Sequence, residues 1–262
     1  MRIFAVMLGA LCLAGCGQAP VHSQGGRDTE VLEAANPRAR IHTELGAQYF
    51  ARRQYPVALQ ELREALRSDS GYAPAYNMLG LVHAALLEDK EAEEYFRKAI
   101  DLAPNYSEAH NNYGHFLCGL KRIDQAMRHF ELAWQNPLYA TPEKALANAG
   151  QCLLKDARLD EAARFAQRAL VRAPNQPQAL ATLAEIEYAR GDLAMARGHL
   201  KKLETLGALE PGPLWLAIRL ERQAGRRDAE AAYGLQLRRL YPDARETAWL
   251  LAGQYDMPSK QP

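Results

Sequence analysis

Residues 76–104, YNMLGLVHAALLEDKEAEEYFRKAIDLAP, indicate the fold because their pattern of residue types recurs along the chain. The next stretch of the same kind is HNNYGHFLCGLKRIDQAMRHFELAWQNPL, residues 110–138. Gly80, Ala92 and Ala99 of the first stretch have counterparts of the same type 34 positions later. In each stretch, two segments of helical length flank a short polar link. Recurrence at a fixed interval predicts a chain built from pairs of α-helices that stack side by side.

Small residues mark the repeat over most of the chain. Three rows recur at intervals of 34 or 36 residues: Gly46, Gly80, Gly114 and Gly150; Ala58, Ala92, Ala126, Ala162 and Ala196; and Ala65, Ala99, Ala133 and Ala169. Small residues let two helices approach closely, and large ones such as Leu62 and Phe96 fill the remaining volume. The longer interval between Gly114 and Gly150 predicts a two-residue insertion, which we place within 136–142.

These residue types at this spacing resemble the tetratricopeptide repeat (TPR), over roughly residues 39–242. The resemblance implies an all-α TPR solenoid, a right-handed superhelix of about six helix–turn–helix repeats with a C-terminal capping helix. Within a TPR domain at 38–252, we place the repeats at 39–72, 73–106, 107–140, 143–176, 177–210 and 211–242, and the cap at 243–252.

The last two repeats depart from the pattern. Ala184 and Ile218 stand where earlier repeats carry glycine, and Glu230 and Gly234 take positions that are usually apolar or small. We still expect the final repeat to form, because six residues give it an apolar face: Trp215, Leu216, Leu220, Tyr233, Leu237 and Leu240. Trp249 and Leu250 are expected on the buried side of the cap.

The first residues indicate export and lipidation. Arg2 precedes an uncharged apolar run at 3–13, which is shorter than the ~20 residues that span a bilayer. The run ends in Leu13-Ala14-Gly15-Cys16, which resembles the bacterial lipobox. We therefore predict a signal peptide at 1–15 and a lipid on Cys16, the alternative being an ordinary secretory signal with an incidental cysteine.

Residues 16–37 are rich in Gly, Gln, Pro and Ser and are expected to form a flexible tether, as 253–262 form a flexible tail. A coil of about 20 residues has an end-to-end distance on the order of 25 Å. Position 17 is Gly, not the Asp that retains many lipoproteins at the inner membrane. The expected location is the periplasmic face of the outer membrane, through the lipid anchor.

Composition and motifs exclude several function classes. Arg2 is the one charged residue before Cys16, so the chain from Cys16 onward has 31 basic and 31 acidic residues and no net charge. Nucleic-acid binding requires a surplus of basic residues, which is absent from this sequence. The sequence contains no HExxH, paired CxxC, GxSxG or glycine-rich phosphate loop. We therefore expect no catalytic residues, metal, cofactor, small-molecule substrate or nucleic acid, and a monomer that binds proteins.

Cys118 and Cys152 lie 34 residues apart on the first helices of adjacent predicted repeats. A disulfide requires Cα atoms within about 7 Å, which neighbouring helices provide. The oxidising periplasm favours such a bridge. Two buried thiols are the alternative, and a metal site with His115 is a further one.

Repeat geometry also selects a binding surface. The first helix of each pair lines the concave side of the stack, and certain of its positions point into the groove. The residues predicted to point into the groove are Phe50, Asn77, Met78, Leu81, Asn111, Asn112, His115, Asn148 and Gln151. Carboxamides donate and accept together, as an extended peptide backbone does, and the apolar members would hold side chains. The alternative is that these are ordinary helix faces.

Three segments carry a closer resemblance: 111–122, 175–177 and the run from 218–220 to YGLQLRRLYP at 233–242. Together with the lipobox they resemble the type IV pilus biogenesis and stability lipoproteins, the PilF/PilW family. The resemblance implies a pilotin that helps subunits of the outer-membrane secretin to assemble. The alternative is a TPR lipoprotein of another envelope complex, in outer-membrane protein assembly or cell-wall machinery.

Overall fold

The computed structural model describes residues 36–256, and over that range it contains thirteen α-helices and no strand. The helices are α1 Pro37–Ala51, α2 Tyr55–Ser68, α3 Ala73–Ala85, α4 Asp89–Leu102, α5 Ser107–Gly119, α6 Ile123–Gln135, α7 Pro142–Lys155, α8 Leu159–Arg172, α9 Pro177–Ala189, α10 Leu193–Thr205, α11 Pro211–Gln223, α12 Arg227–Leu240 and α13 Arg245–Leu251. The predicted signal peptide, Cys16, most of the tether and the end of the tail lie outside the described residues.

Consecutive helices pair as α1 with α2 through α11 with α12, giving six antiparallel hairpins. The first helix of each pair also contacts the first helix of the next pair. The short α13 contacts α11 and α12, so it takes the place of a seventh first helix and covers the end of the stack. The predicted all-α solenoid with a C-terminal cap is confirmed.

Glycines in the first helices allow the close approach that the repeat requires. A Cβ atom added to Gly80 would lie 2.7 Å from Cδ1 of Phe96, and one added to Gly114 would lie 2.9 Å from Cδ1 of Phe130. Real Cβ atoms do not approach a ring that closely, so each phenylalanine occupies the space its glycine leaves. Phe96 and Phe130 are both fully buried. The pairing fixes how each second helix packs on its first helix.

The links between repeats explain the irregular interval. Residues 103–106 connect α4 to α5, whereas residues 136–141 connect α6 to α7. The two extra residues thus lie in the segment between α6 and α7. There, Nδ2 of Asn136 donates to the hydroxyl of Ser107 at 2.7 Å and to the carbonyl of Asn105 at 3.2 Å, which ties the longer link to the start of α5.

The final repeat reverses the usual distribution of side-chain size. Ile218 on α11 is fully buried where earlier repeats carry glycine, and Gly234 on α12 is buried where Phe96 and Phe130 stand. A Cβ at Gly234 would lie 3.4 Å from Cδ2 of Leu250, which belongs to the cap. At these equivalent positions, the large side chain of the final repeat is thus on the first helix and not on the second.

One expectation for the final repeat is wrong. Leu240 is 54% exposed, because α12 ends there and Tyr241 packs against the core instead. The hydroxyl of Tyr241 donates to the carbonyl of Leu209 at 3.3 Å. Trp249 is buried and Leu250 half-buried on the inner side of the cap, as expected.

Candidate partner-binding groove

A cavity of about 880 Å³ runs along the first helices from repeat three to the cap, and we call it the groove. Its walls come from α5, α7, α9 and α11, and Arg245 and Glu246 of α13 close its end. The lining residues are Glu108, Asn111, Asn112, His115, Lys144, Asn148, Gln151, Gln176, Pro177, Gln178, Ala181, Ala208, Glu210, Pro211, Gly212, Pro213, Arg245 and Glu246. Five of the nine predicted groove residues are among them.

Carboxamide hydrogen bonds join successive first helices at equivalent positions. Nδ2 of Asn112 donates to Oδ1 of Asn77 at 3.2 Å. One repeat later, Nδ2 of Asn148 donates to Oδ1 of Asn111 at 2.8 Å. We call these two bonds the rungs. Each rung links neighbouring repeats at a fixed register, and each bond contributes about 1 kcal/mol net.

Asn77 and Asn111 accept the hydrogen bonds of the two rungs, and both side chains are buried. They are only 2% and 5% exposed, and a buried carboxamide needs a hydrogen-bond partner. Asn77 therefore contributes to the packing between repeats and lies outside the groove lining. Asn111 lines the groove and also forms a rung.

Gln178 on α9 extends the network by one more repeat. Its Nε2 donates to Oδ1 of Asn148 at 2.8 Å and to Oε1 of Gln151 at 2.6 Å. Its backbone N–H is held by the side chain of Gln176 at 2.8 Å. The groove floor thus presents a continuous row of side-chain amides from α5 to α9. Such amides can exchange partners with the backbone of an extended peptide.

Phe50, Met78 and Leu81 are the other predicted groove residues that do not line this cavity. All three are half-buried and lie outside the groove lining. Phe50 and Met78 pack against the core formed by the first two repeats, and the ring of Phe50 lies 5.9 Å from that of Tyr55. Leu81 packs against the core of repeats two to four. Each of the three side chains thus contributes to a hydrophobic core with part of its surface.

The C-terminal half of the groove was missed by sequence reasoning. Glu108, Lys144, Gln178 and Gly212 occupy equivalent positions in successive repeats, and all four line the groove. The predicted groove residues end in repeat four, although the counterparts of Lys144 in repeats five and six are Gln178 and Gly212. The contributions of Arg245 and Glu246 depend on how the cap folds back, and no repeat spacing encodes that.

The groove carries both signs of charge. Its lining includes the basic Lys144 and Arg245 and the acidic Glu108, Glu210 and Glu246. Such a mixed, amide-rich surface suits a polar polypeptide segment better than a highly charged or wholly apolar one.

The structure joins Cys118 on α5 to Cys152 on α7 by a disulfide, with the Cα atoms 5.8 Å apart. Both residues are buried, at 5% and 1% exposure, and they cross-link the two helices that the second rung also joins. In this arrangement neither sulfur is available for the metal site with His115. Within residues 36–256, no three metal-ligating side chains gather in one place. Over the same range, no helix is both long and apolar enough to cross a membrane.

Helix pairs of this length, glycine-mediated packing and a groove lined by first helices define a tetratricopeptide repeat protein. Two family models, each described as Tetratricopeptide repeat, match residues 73–106 and 95–128.

The whole chain is similar to proteins of pilus assembly. It is 32% identical over 250 residues to the Type IV pilus assembly protein PilF of Pseudomonas aeruginosa, covering 94% of this chain and 96% of that protein. The crystal structure of PilW, a widely conserved type IV pilus biogenesis factor, matches with a TM-score of 0.70 and 30% identity, over 83% of this chain and 100% of PilW. The solved structure of Pseudomonas aeruginosa PilF matches with a TM-score of 0.67 and 30% identity, over 87% of this chain and 99% of that one. The chain belongs to the PilF family.

Proposed function

We propose that this chain is a pilotin of the type IV pilus, a lipoprotein on the periplasmic face of the outer membrane that binds secretin subunits and helps them assemble. The similarity to PilF over 94% of the chain carries the proposal. The groove supplies a surface for a polypeptide partner, and its amide floor offers hydrogen bonds rather than chemistry. The chain acts by binding and catalyses no reaction.

The lipobox supports the proposed location. Acylation of Cys16 with a diacylglycerol and an N-acyl group would give an anchor of several chains, and one chain alone binds a membrane only marginally. The Gly at position 17 favours the outer membrane over the inner one. The tether then holds the repeats on the order of 25 Å from the lipid surface.

Anchoring and binding together explain how a pilotin promotes assembly. Secretin subunits expose apolar surface before they insert, and such surface aggregates in water. A tethered partner keeps the subunits at the correct membrane and raises their effective concentration there. We expect the groove to hold an extended, polar secretin segment of low net charge.

Deletion of the gene tests the role. We expect secretin monomers in place of rings and the loss of surface pili. Normal secretin rings in the deletion strain would refute the pilotin role. Co-purification with a barrel-assembly or cell-wall complex and not with secretin would point to the alternative envelope function.

Two matched variants test the groove. Ala181 is a half-buried residue that lines the groove, whereas Ala231 on α12 is exposed and lies outside it. Ala181→Arg should lower the fraction of assembled secretin at least tenfold in the complemented deletion strain, and Ala231→Arg should restore wild-type assembly. Circular dichroism and thermal melts must show that both variants stay folded. Full complementation by a folded Ala181→Arg protein would exclude the groove as the secretin site.

The anchor has its own test. Cys16→Ala should release the protein from the outer-membrane fraction while its melting curve stays unchanged. Retention of the variant in that fraction would contradict lipidation at Cys16 as the means of attachment.

A further inference from the structure

A second cavity, of about 270 Å³, lies between the second helices of repeats two and three. It shares no lining residue with the groove, and we call it the second-helix cavity. Its polar lining comes from α4, α5 and α6 and consists of Arg97, Asp101, Tyr113, Gln125, Arg128 and His129.

Glu93 fixes one wall of this cavity. Its Oε1 lies 2.7 Å from Nη2 of Arg97 and accepts a hydrogen bond from the hydroxyl of Tyr113 at 2.9 Å. Its Oε2 lies 2.7 Å from Nη1 of Arg122. The hydrogen bond from Arg122 is the main cause that lowers the pKa of Glu93, so the carboxylate is ionised at neutral pH. The single negative charge of Glu93 is therefore shared by the guanidinium groups of Arg97 and Arg122.

Arg128 has no such partner. None of the ion pairs, hydrogen bonds or ring contacts within residues 36–256 involves its side chain. The charged side chains that line the cavity are Arg97, Arg128 and Asp101, two basic and one acidic. The site therefore carries one positive charge in excess, held close to a recess that a small group can enter.

His129 completes the wall as a neutral ring. Nε2 of His110 lies 3.0 Å from the carbonyl of Pro104 and must donate to it, so Nδ1 of His110 accepts from Nδ1 of His129 at 2.9 Å. In the neutral His129 ring, Nε2 is then the unprotonated nitrogen. Burial, followed by His110 and the nearby arginines, lowers the pKa of His129 to about 4.

We propose that the second-helix cavity binds one oxyanionic group, a carboxylate or a phosphate, between the guanidinium groups of Arg97 and Arg128. The guanidinium fork of Arg128 can bind either group in a planar, two-pronged geometry, and Arg97, whose Nε and Nη2 donate to Tyr113 and Glu93, contributes Nη1. The anion supplies the countercharge that Arg128 lacks and favours the imidazolium form of His129, whose Nε2 becomes a donor. Binding of the anion is therefore coupled to uptake of a proton by His129.

The test is a histidine titration of the intact purified chain by NMR, with inorganic phosphate as the probe. Phosphate should raise the pKa of His129 by about one unit or more, which is a tenfold change in its proton affinity. Sodium acetate tests the carboxylate in the same way, and sodium chloride at equal ionic strength controls for screening. A response to either oxyanion supports the proposal, and the stronger response identifies the preferred group.

A matched pair of variants separates the site from general electrostatics. Arg128→Gln should abolish most of the oxyanion-induced shift. Arg164→Gln, the equivalent exposed position 36 residues later on α8, should leave the shift unchanged. A shift no larger than that caused by chloride, or one that persists in Arg128→Gln, would overturn the proposal.

Discussion

The central repeats and the final repeat hold their helices together by different means. In repeats two and three, a glycine on the first helix faces a phenylalanine on the second, as in Gly114 against Phe130. In the final repeat, Ile218 is the large residue and Gly234 the small one. In the central repeats the second helix supplies the large side chain, whereas in the final repeat the first helix supplies it and Leu250 of the cap packs beside Gly234.

The two regions also differ in how neighbouring repeats are joined. The central first helices are linked by the rungs and by the disulfide between Cys118 and Cys152. The final first helix buries Trp215, Leu216 and Leu220 at 0% exposure, and its polar link to the preceding repeat is the ion pair between Glu221 and Arg197 of α10, with Nε and Oε1 2.8 Å apart. In the central repeats, side-chain amides and the disulfide thus join one first helix to the next, whereas the polar link of the final first helix comes from a second helix.

Reduction of the disulfide should have the largest effect, and it should act on the central repeats. Loss of a bridge that closes a loop of about 34 residues costs roughly 3–4 kcal/mol in the chain-entropy model. Denaturant unfolding with and without reductant measures the loss. Amide exchange should accelerate in α5 and α7 and change little in α11. Alkylation of two thiols in the native, unreduced protein would show that no bridge forms.

An isoleucine at the glycine position of a central repeat, as Ile218 stands in the final repeat, should cause the second-largest loss of stability. Gly114→Ile sets a branched side chain against Phe130 and the carbonyl of Ala126, where even a Cβ lies at 2.9 and 3.1 Å. We expect a loss of about 3 kcal/mol in the free energy of unfolding. Gly198→Ile is the control, because an added Cβ there meets nothing within 4 Å. Equal stability of the two variants would contradict the packing account.

A compensating substitution tests whether Gly114 and Phe130 are energetically coupled. Phe130→Ala combined with Gly114→Ile imitates the size distribution of the final repeat. The double variant should be more stable than the sum of the single changes predicts, by at least about 1 kcal/mol. Strict additivity would show that the two positions do not share one volume.

Acid should weaken the central repeats through His129. The pKa of His129 is near 6.5 when the ring is exposed and about 4 in the folded chain. Burial is the main cause of this lowering, followed by the charges of His110 and of the arginines at 128, 122 and 97. Between these values the unfolded chain binds a proton that the folded chain does not, so stability falls as pH decreases from 6.5 to 4. The loss amounts to about 2–3 kcal/mol.

His129→Gln isolates this effect, since a glutamine amide can still donate to His110. The difference in unfolding free energy between wild type and variant should shift in favour of the variant as pH decreases from 6.5 to 4. Parallel stability curves for the two proteins would contradict the assignment of a lowered pKa to His129.

The smallest effect concerns the turn inside each repeat. The same turn position has a positive φ in all six repeats, occupied by Arg53, Leu87, Lys121 and Ala157 in the first four and by Gly191 and Gly225 in the last two. Leu87 has φ 62° and is 85% exposed, so Leu87→Gly relieves backbone strain and removes few contacts. It should stabilise by about 0.5–1 kcal/mol.

Gly191→Ala is the reciprocal change, at φ 82°, and should destabilise by about 1 kcal/mol. Denaturant midpoints of the two variants measure both effects. Shifts of the same sign would show that φ does not govern this position.

The sequence predicted most of the fold because small residues at a fixed interval carry the packing of helix pairs. Gly114 and its counterparts needed no tertiary information. The groove was predicted less completely, since a position in a repeat determines which way a side chain points and not whether a neighbour covers it. Phe50 and Met78 point from first helices, yet they pack on neighbouring side chains. The cap's contribution through Arg245 arises from long-range folding that no spacing reveals.

The most direct test of the central claim is site-specific photo-crosslinking in living cells. A photoreactive residue at position 181, in the groove, should crosslink to secretin, and one at position 231, on the exposed face of α12, should not. Mass spectrometry of the product would identify the secretin segment, which we expect to be extended and polar. Secretin crosslinks from position 231 alone, or from neither position in cells that assemble normal pili, would contradict the account.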